Sequence, residues 1–151
     1  MNILSGDRDL FQLVDDRKDI YVLYMGGGPY AKSGNPTLMN ENGVKEKLGV
    51  YPERVVDFKA LTGDSSDNIP GIKGVGPKTA INLLKENDNL DGIYKALDII
   101  QKDEDKKYQG FIKGAVREKL KNDKFNAYLS RDLATIDVEV PLVLSLSLIH
   151  I

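Results

Sequence analysis

Two apolar runs near the start of the chain are typical of β-strands, and a short amphipathic stretch separates them. Residues 2–5 (Asn-Ile-Leu-Ser) have the character of the end of a buried strand, and residues 20–24 (Ile-Tyr-Val-Leu-Tyr) that of a second strand. A turn at residues 6–9 leads into a predicted helix over residues 10–14, which Asp7 or Asp9 is expected to cap. Because two strands alone do not make a stable sheet, we expect neighbouring strands upstream, in sequence that is not present here.

From residue 40 onward, apolar positions recur at helical spacing between residues that start and stop helices. Asn40 is placed to cap a short helix through Leu48, and Pro52 to open a helix that Gly63 ends. Pro77 opens the next helix. Three more amphipathic helices are predicted, with apolar faces through Leu90, Ile93 and Leu97, then Ile112, Val116 and Leu120, then Phe125, Tyr128 and Leu129. With a final strand over residues 138–142, the pattern predicts an α/β fold that is mostly α in this fragment.

Composition narrows the class of protein. The 151 residues, 41% hydrophobic and 29% charged, suit one globular domain, and they contain neither a transmembrane run nor a secretion signal, so no membrane partner is expected. The absence of cysteine excludes disulfides and thiolate metal sites, and it makes a cytoplasmic location the default expectation. A net charge of −2 argues only weakly against nucleic acid, because acidic ligands and basic contact residues can share one chain. His150, in the tail, is the only histidine, so acid–base chemistry falls to carboxylates, lysines, tyrosines or metal-bound water.

A glycine-rich turn leads into a helix at residues 71–80 (Gly-Ile-Lys-Gly-Val-Gly-Pro-Lys-Thr-Ala). Val75 can anchor the turn, while the glycines on either side of it leave room for close approach to the backbone. The helix start would present N–H groups to a phosphate, and Lys73 and Lys78 would add positive charge. Contacts of this kind bind the DNA backbone without reading its sequence. The alternative is an ordinary helix–turn–helix corner that uses glycine only for tightness.

Two pairs of aspartates carry the candidate metal chemistry. Asp64 and Asp67 are three residues apart, so one helical or 3-10 turn would point both carboxylates the same way. Like charges held together are costly unless they share a cation, and oxygen ligands suit Mg²⁺ or Mn²⁺. Asp7 and Asp9 follow a strand at its carboxyl end, where α/β sheets place ligand sites, so the four together indicate metal-dependent phosphodiester cleavage. Taken alone, Asp64 and Asp67 would be a capping residue and a turn residue.

Other features are open to more than one interpretation. Residues 26–33 come within one residue of a phosphate-binding P-loop, but the Gly-Asn-Pro that follows forbids the helix such a loop requires, so a connecting loop is predicted. Arg8 is expected to pair with an aspartate or to touch phosphate. A basic cluster on the late helices is either a solvated face or an extension of the DNA track. It comprises Lys113, Arg117, Lys119, Lys121 and Lys124.

Three segments, in this order, carry a resemblance: Ser-Gly-Asp-Arg-Asp-Leu-Phe-Gln-Leu at residues 5–13, Ala-Leu-Thr-Gly-Asp-Ser-Ser-Asp-Asn-Ile-Pro-Gly at residues 60–71, and Gly-Val-Gly at residues 74–76. In them the chain resembles the flap-endonuclease-like family, in particular the 5′→3′ exonuclease domains of bacterial DNA polymerase I. The resemblance implies Mg²⁺-dependent (or Mn²⁺-dependent) hydrolysis of DNA at a 5′ end or 5′ flap, in replication and repair. As ligands of the second metal, and catalytic through it, it implies Asp7, Asp9, Asp64 and Asp67.

The same resemblance implies how the chain meets DNA and how it is organised. It implies a helix–hairpin–helix (H3TH) that binds duplex DNA without sequence preference, in this family often with K⁺ at the hairpin carbonyls. Residues 1–50 would be the end of a PIN-like nuclease core, residues 51–142 the H3TH subdomain, and residues 143–151 a tail. For the tail, a native hydrophobic segment and a translated sequencing adaptor both stay open. The residues expected at the DNA are Gly71, Lys73, Gly74, Val75, Gly76, Lys78 and Thr79.

One departure from the family limits what the resemblance implies. The first half of the family's domain supplies the first metal's ligands, basic residues near the scissile phosphate and a helical arch, and none of these positions exists in this chain. The resemblance therefore implies a parent protein, bacterial and associated with the nucleoid, with a nuclease half upstream and a polymerase domain downstream. The rival interpretations are a non-catalytic helix–hairpin–helix module that binds duplex DNA and a polymerase-associated scaffold piece.

Overall fold

A computed structural model of the chain describes residues 1–26, 34–102 and 110–141. Within them lies a three-stranded sheet of β1 (Asn2–Ser5), β2 (Tyr21–Tyr24) and β3 (Thr37–Met39), in the order β1-β2-β3. β1 runs parallel to β2 with Ser5 beside Tyr24, and β3 runs antiparallel to β2 with Met39 beside Val22. The two predicted strands are confirmed, and β3 was missed because three residues are too few to show an alternation.

The local signals placed the first helices correctly and misjudged their type in two places. α1 (Glu41–Leu48) begins where the side-chain oxygen of Asn40 accepts the Gly43 N–H at 2.8 Å, as predicted. The helix predicted from Pro52 is divided into a 3-10 turn, Pro52–Arg54, and α2 (Val55–Thr62), which ends at Gly63 with a φ of 71°. The helix predicted over residues 10–14 is also a 3-10 helix, Asp9–Leu13.

Four longer helices complete the part of the chain that is described. They are α3 (Pro77–Asn87), α4 (Leu90–Lys102), α5 (Gly114–Asn122) and α6 (Lys124–Ala134). Over residues 1–26, 34–102 and 110–141, none of the helices has the length and apolar character that crossing a membrane requires.

Helix α2 is the centre of the core, and it positions the candidate site. It packs along α6 on one side and against α3 on another. Val55, Ala60 and Leu61 of α2 are completely buried, and they join one apolar cluster that reaches Val22 in the sheet. Because Leu61 anchors the last turn of α2 in this core, the acidic segment that follows Gly63 starts from a rigid support.

The apolar face predicted for the last helix is wrong at Phe125 and Leu129, whereas its third member, Tyr128, is partly buried and packs against the core. Phe125 is 77% exposed and Leu129 38% exposed, whereas the buried residues of α6 are Ala127, Ser130 and Ala134. Small side chains let two helices approach closely, so α6 lies against α2 through the residues that carry the least apolar surface. A pattern that weights residues by hydrophobicity chooses the opposite face.

The strand predicted over residues 138–142 is also wrong over its described part. Residues 136–141 belong to no strand, and Val138 is 67% exposed. The Gln12 side chain holds the chain just before this segment: its Nε2 donates to the Ala134 carbonyl, and its Oε1 accepts the Ile136 N–H, both at 3.0 Å. The predicted tail, residues 143–151, and residues 27–33 of the predicted connecting loop lie outside the described residues.

Candidate metal and DNA-binding site

The segment after α2 folds back on itself as a closed loop, residues 64–69, here called the acidic loop. Asp64 and Ile69 exchange two backbone hydrogen bonds, of 2.9 and 2.8 Å, which close it. Inside the loop, Asp64 Oδ1 accepts the Ser66 N–H at 2.9 Å and also the Ser66 hydroxyl. These bonds hold the Asp64 carboxylate at the end of α2, with its other oxygen free to face Lys59.

Three of the four predicted aspartates come together around one lysine. Carboxylate oxygens of Asp9, Asp64 and Asp67 all lie within 4.8 Å of one another. The Lys59 ammonium contacts Asp9 Oδ1, lies 2.9 Å from Asp64 Oδ2 and 4.0 Å from Asp67 Oδ2. The lysine side chain is only 10% exposed, so its charge is held among the carboxylates.

Asp7 and Arg8 have other roles in this arrangement. Asp7 is exposed, does not belong to the group of three, and accepts the Asp9 N–H at 2.8 Å through Oδ1. It therefore orients the backbone that carries Asp9. Arg8 Nε donates to the Tyr24 hydroxyl at 3.0 Å, which ties the turn after β1 to the end of β2; of its two predicted partners, an aspartate or a phosphate, the aspartate is not the one it bonds here.

The surroundings of Asp64 favour the charged form of its carboxylate. The Ser66 hydroxyl first, and then the Lys59 ammonium, lower the pKa of Asp64 from 3.8 to about 2. Asp9 Oδ1 is buried and has no hydrogen-bond partner among the described residues, and it forms an ion pair with Lys59. A buried carboxylate oxygen in this position requires a cation, which is Lys59 here.

Sequence patterns did not single out Lys59. In the sequence it is one more lysine of a helix. Only the fold shows that its ammonium lies between Asp9, 50 positions earlier, and Asp64 and Asp67, which follow it closely. One signal was present: Lys59 lies between Phe58 and the completely buried pair Ala60 and Leu61. A lysine within an apolar run is almost never buried unless it is paired.

The glycine-rich turn, residues 71–76, is a tight hairpin between the acidic loop and α3. Val75 is 4% exposed and anchors it, as predicted, while Lys73, Gly74, Gly76 and Lys78 are exposed. Gly71 needs its bare backbone, because a Cβ there would lie 2.2 Å from the Gly63 nitrogen.

Gly74 and Gly76 differ in backbone conformation and in the space around them. Gly74 has a φ of 78°, a backbone conformation that favours glycine, whereas a Cβ at Gly76 would meet nothing within 4 Å. Gly76 is also the N-cap of α3 and has no side chain to cap it. The first amide N–H groups of that helix therefore have no hydrogen-bond partner from the cap and can donate to a ligand. Thr79 lies in the first turn of α3 and is half-buried.

Side chains from the last two helices hold the hairpin from behind. Ser130 Oγ accepts the Gly71 N–H, Asp123 Oδ2 accepts the Lys73 N–H, both at 2.9 Å, and Lys119 Nζ donates to the Gly74 carbonyl at 2.8 Å. The predicted basic cluster is therefore not uniform. Lys119 belongs to the hairpin, and Lys121 lies 3.4 Å from Glu118 on its own helix.

The chain is similar in sequence to bacterial DNA polymerase I. The family model described as 5′-3′ exonuclease, C-terminal SAM fold, matches residues 50–151. DNA polymerase I of Synechocystis sp. is 46% identical over 142 residues, which are 94% of this chain and 13% of that protein. DNA polymerase I of Bacillus subtilis is 39% identical over 147 residues, 97% of this chain and 15% of that protein. The chain thus spans only 13–15% of the length of these curated relatives.

Two solved structures share the architecture. The D15 protein of bacteriophage T5, co-crystallised with metal ions, has a TM-score of 0.65 at 21% identity, over 88% of this chain and 42% of its own. The catalytic core of Rad2 in complex with DNA substrate has a TM-score of 0.58 at 21% identity, over 95% of this chain and 47% of its own. At these identities the likeness is one of fold, and it confirms the predicted class: an α/β fold that is mostly α, with a small sheet followed by a helical subdomain.

Proposed function

We propose a function from one premise: the chain belongs to the 5′-3′ exonuclease, C-terminal SAM fold family, as its match over residues 50–151 shows. From this we infer that it is part of a 5′→3′ exonuclease or flap endonuclease domain in a DNA polymerase I-type protein of the bacterial cytoplasm. Within that domain, this chain binds duplex DNA at the hairpin and provides carboxylate ligands for a divalent metal. Cleavage of phosphodiester bonds in replication and repair is the activity of the whole parent.

One observation carries this proposal: the acidic loop and the hairpin form one continuous unit. Gly71, the first residue of the hairpin, lies against Gly63 at the start of the acidic loop, so closely that no side chain fits between them. The Ile72 N–H also bonds the Leu61 carbonyl of α2 at 2.9 Å. A phosphate backbone held at the hairpin is therefore held at a set position relative to Asp64 and Asp67, as catalysis by positioning requires.

The donor set fits a hard divalent cation. Asp9, Asp64 and Asp67 offer oxygen ligands, which Mg²⁺ and Mn²⁺ prefer, and the buried Asp9 Oδ1 already contacts a positive charge. A bound ion would supply charge stabilisation to a phosphodiester undergoing hydrolysis. Asp7 was predicted as a fourth ligand; in the present arrangement its part is to hold the Asp9 backbone.

The second candidate function is a non-catalytic module for duplex DNA, and Lys59 favours it. Its ammonium pairs with Asp9 and Asp64 and offsets one of their two charges, so the acidic loop has a cation beside it without any metal. Both candidate functions use the hairpin to bind duplex DNA, and they differ in whether the acidic loop binds a metal ion.

Duplex binding is tested by variants that alter the surface and leave the fold intact. Gly76→Ala places a methyl group in open space and costs only the difference between glycine and alanine as an N-cap, about 1 kcal/mol or less. It should therefore stay folded while binding duplexes of two unrelated sequences more weakly and equally so, measured by fluorescence anisotropy. Lys78→Met should lower the salt dependence of binding by about one phosphate contact. Lys85→Met, on the last turn of the same helix, is the matched control and should leave that slope unchanged. Undiminished affinity in Gly76→Ala and Lys78→Met would remove the hairpin from the DNA site.

Metal binding is tested without any cleavage assay. Mg²⁺ or Mn²⁺ should raise the melting temperature of the chain, and the double variant Asp64→Asn with Asp67→Asn should lose that increase. The control replaces two exposed aspartates far along the chain, Asp132→Asn with Asp137→Asn, and should keep the increase. If the ion stabilises the wild type and the acidic-loop variant equally, the metal assignment is wrong and the non-catalytic module is favoured.

A further inference from the structure

The contact between Lys119 and the hairpin points to a function for this lysine. Its Nζ lies 2.8 Å from the carbonyl oxygen of Gly74, 45 residues away in sequence, on the exposed turn of the hairpin. The approach is close: a Cβ at Gly74 would meet Lys119 Nζ at 2.9 Å and Cε at 3.1 Å. Because these atoms are the far end of a flexible side chain, the φ of 78° rather than this contact is what favours glycine at position 74.

The helix that carries Lys119 is fixed against the hairpin at a second point. Asp123, which follows α5, accepts the Lys73 N–H at 2.9 Å, next to the carbonyl that Lys119 contacts. Leu120, beside Lys119, is completely buried. The ammonium is thus held in place by a rigid helix, and a lysine with restricted movement loses less conformational entropy when a ligand arrives.

We propose that Lys119 is the built-in cation of the hairpin, a positioning residue that makes duplex binding independent of a bound monovalent ion. An ammonium and K⁺ carry the same charge, and both bind carbonyl oxygens, so they compete for the Gly74 oxygen. An ammonium also has three donors, of which the Gly74 carbonyl uses one. We expect the other two donors to contact a phosphate oxygen of the DNA backbone, which the proposed function places at the hairpin.

This inference rests on the proposed DNA contact, but one of its tests does not. The wild-type chain, Lys119→Met and the matched control Lys121→Met are compared in KCl and in tetramethylammonium chloride of equal ionic strength. Tetramethylammonium is too large and has no N–H group to bind a carbonyl oxygen. Lys121 lies on the same helix, and its neighbour is Glu118 rather than the hairpin, so its loss removes the same charge from another place.

Without DNA, circular dichroism melting should show no difference between the two salts for the wild type and Lys121→Met. For Lys119→Met, KCl should give the higher melting temperature, because the vacated carbonyl then takes the ion. In tetramethylammonium, duplex affinity of Lys119→Met should fall about tenfold or more below that of the wild type, the loss typical of one hydrogen bond to a charged group. KCl should recover most of it, and Lys121→Met should lose less than about threefold in either salt.

Two results would overturn the inference: a wild type that itself needs K⁺ for stability or binding, or a Lys119→Met variant that behaves as the wild type does in tetramethylammonium. If the wild type does not bind duplex in either salt, the proposed DNA contact fails, and the melting comparison still decides whether Lys119 replaces the ion. If Lys119→Met does not fold, Lys119→Leu takes its place, because it also lacks an N–H donor and vacates the Gly74 carbonyl, and the same dependence on K⁺ is expected.

Discussion

Replacing Lys59 by methionine is the sharpest test of how the acidic site is held together. The substitution keeps the length and apolar stem of the side chain and suits a helix, so it removes little besides the charge. It leaves carboxylate oxygens of Asp9, Asp64 and Asp67 within 4.8 Å of one another without a neutralising group.

The size of the effect follows from how deeply the pair is buried. Removing one partner of a buried ion pair costs roughly 3–5 kcal/mol, and exposed pairs contribute less than about 1 kcal/mol. The Lys59 side chain is 10% exposed, and those of Asp9 and Asp64 are 21% and 24% exposed, so the site lies between these limits. We expect a loss of about 2 kcal/mol in the free energy of unfolding, or a urea midpoint lower by about 1 M.

A divalent ion should then restore the stability that Lys59 provided. In the wild type, Mg²⁺ has to displace the ammonium from Asp9 and Asp64, whereas in Lys59→Met it meets only carboxylates. Mg²⁺ at about ten times its Kd should stabilise the variant by about 1.4 kcal/mol, and it should stabilise the wild type less at the same concentration. Urea unfolding with and without Mg²⁺ measures both quantities, and Lys85→Met, an exposed helical lysine, should stay within about 0.5 kcal/mol of the wild type. A Lys59→Met variant as stable as the wild type without metal, or one that gains no more from Mg²⁺, would refute the reasoning.

Three further predictions follow from other parts of the fold. Gly71→Ala should destabilise the chain by more than about 3 kcal/mol in urea unfolding, because a φ of 62° and the backbone of Gly63 both oppose a side chain; a loss below 1 kcal/mol is not compatible with that contact. The pKa of Asp64 is lowered to about 2, below its unfolded value near 3.9, so its contribution to stability is present above pH 4 and is lost as the pH falls towards 2. The stability difference between the wild type and Asp64→Asn should shrink over that range, and a constant difference contradicts it. Ala127→Leu should lower the free energy of unfolding by about 1–3 kcal/mol, because it overpacks α6 against α2. Phe125→Ser should change it by less than about 0.5 kcal/mol. The opposite ranking would mean that Phe125 lies on the buried face of α6, as the sequence pattern predicted.

Local chemistry determined much of this protein directly from its sequence. Asn40 starts α1, Pro77 starts α3, and Gly63 ends α2, because capping and the permitted backbone angles depend on residues next to one another. The hairpin with Val75 at its anchor was predictable for the same reason. So was the family, since its motifs are short and continuous.

Tertiary structure alone decided which side chains meet. Asp9 lies beside Asp64 and Asp67, more than 50 residues away in sequence, and the Lys59 ammonium lies between them. Lys119 donates to the Gly74 carbonyl, and Asp7 accepts the backbone N–H of Asp9. The buried face of α6 was decided by the close approach of α2, which only small side chains permit. These outcomes depend on distances between segments far apart in the chain, and no pattern of neighbouring residues contains them. Within the acidic site, the sequence determined the ligands available, and the fold determined which of them share a cation.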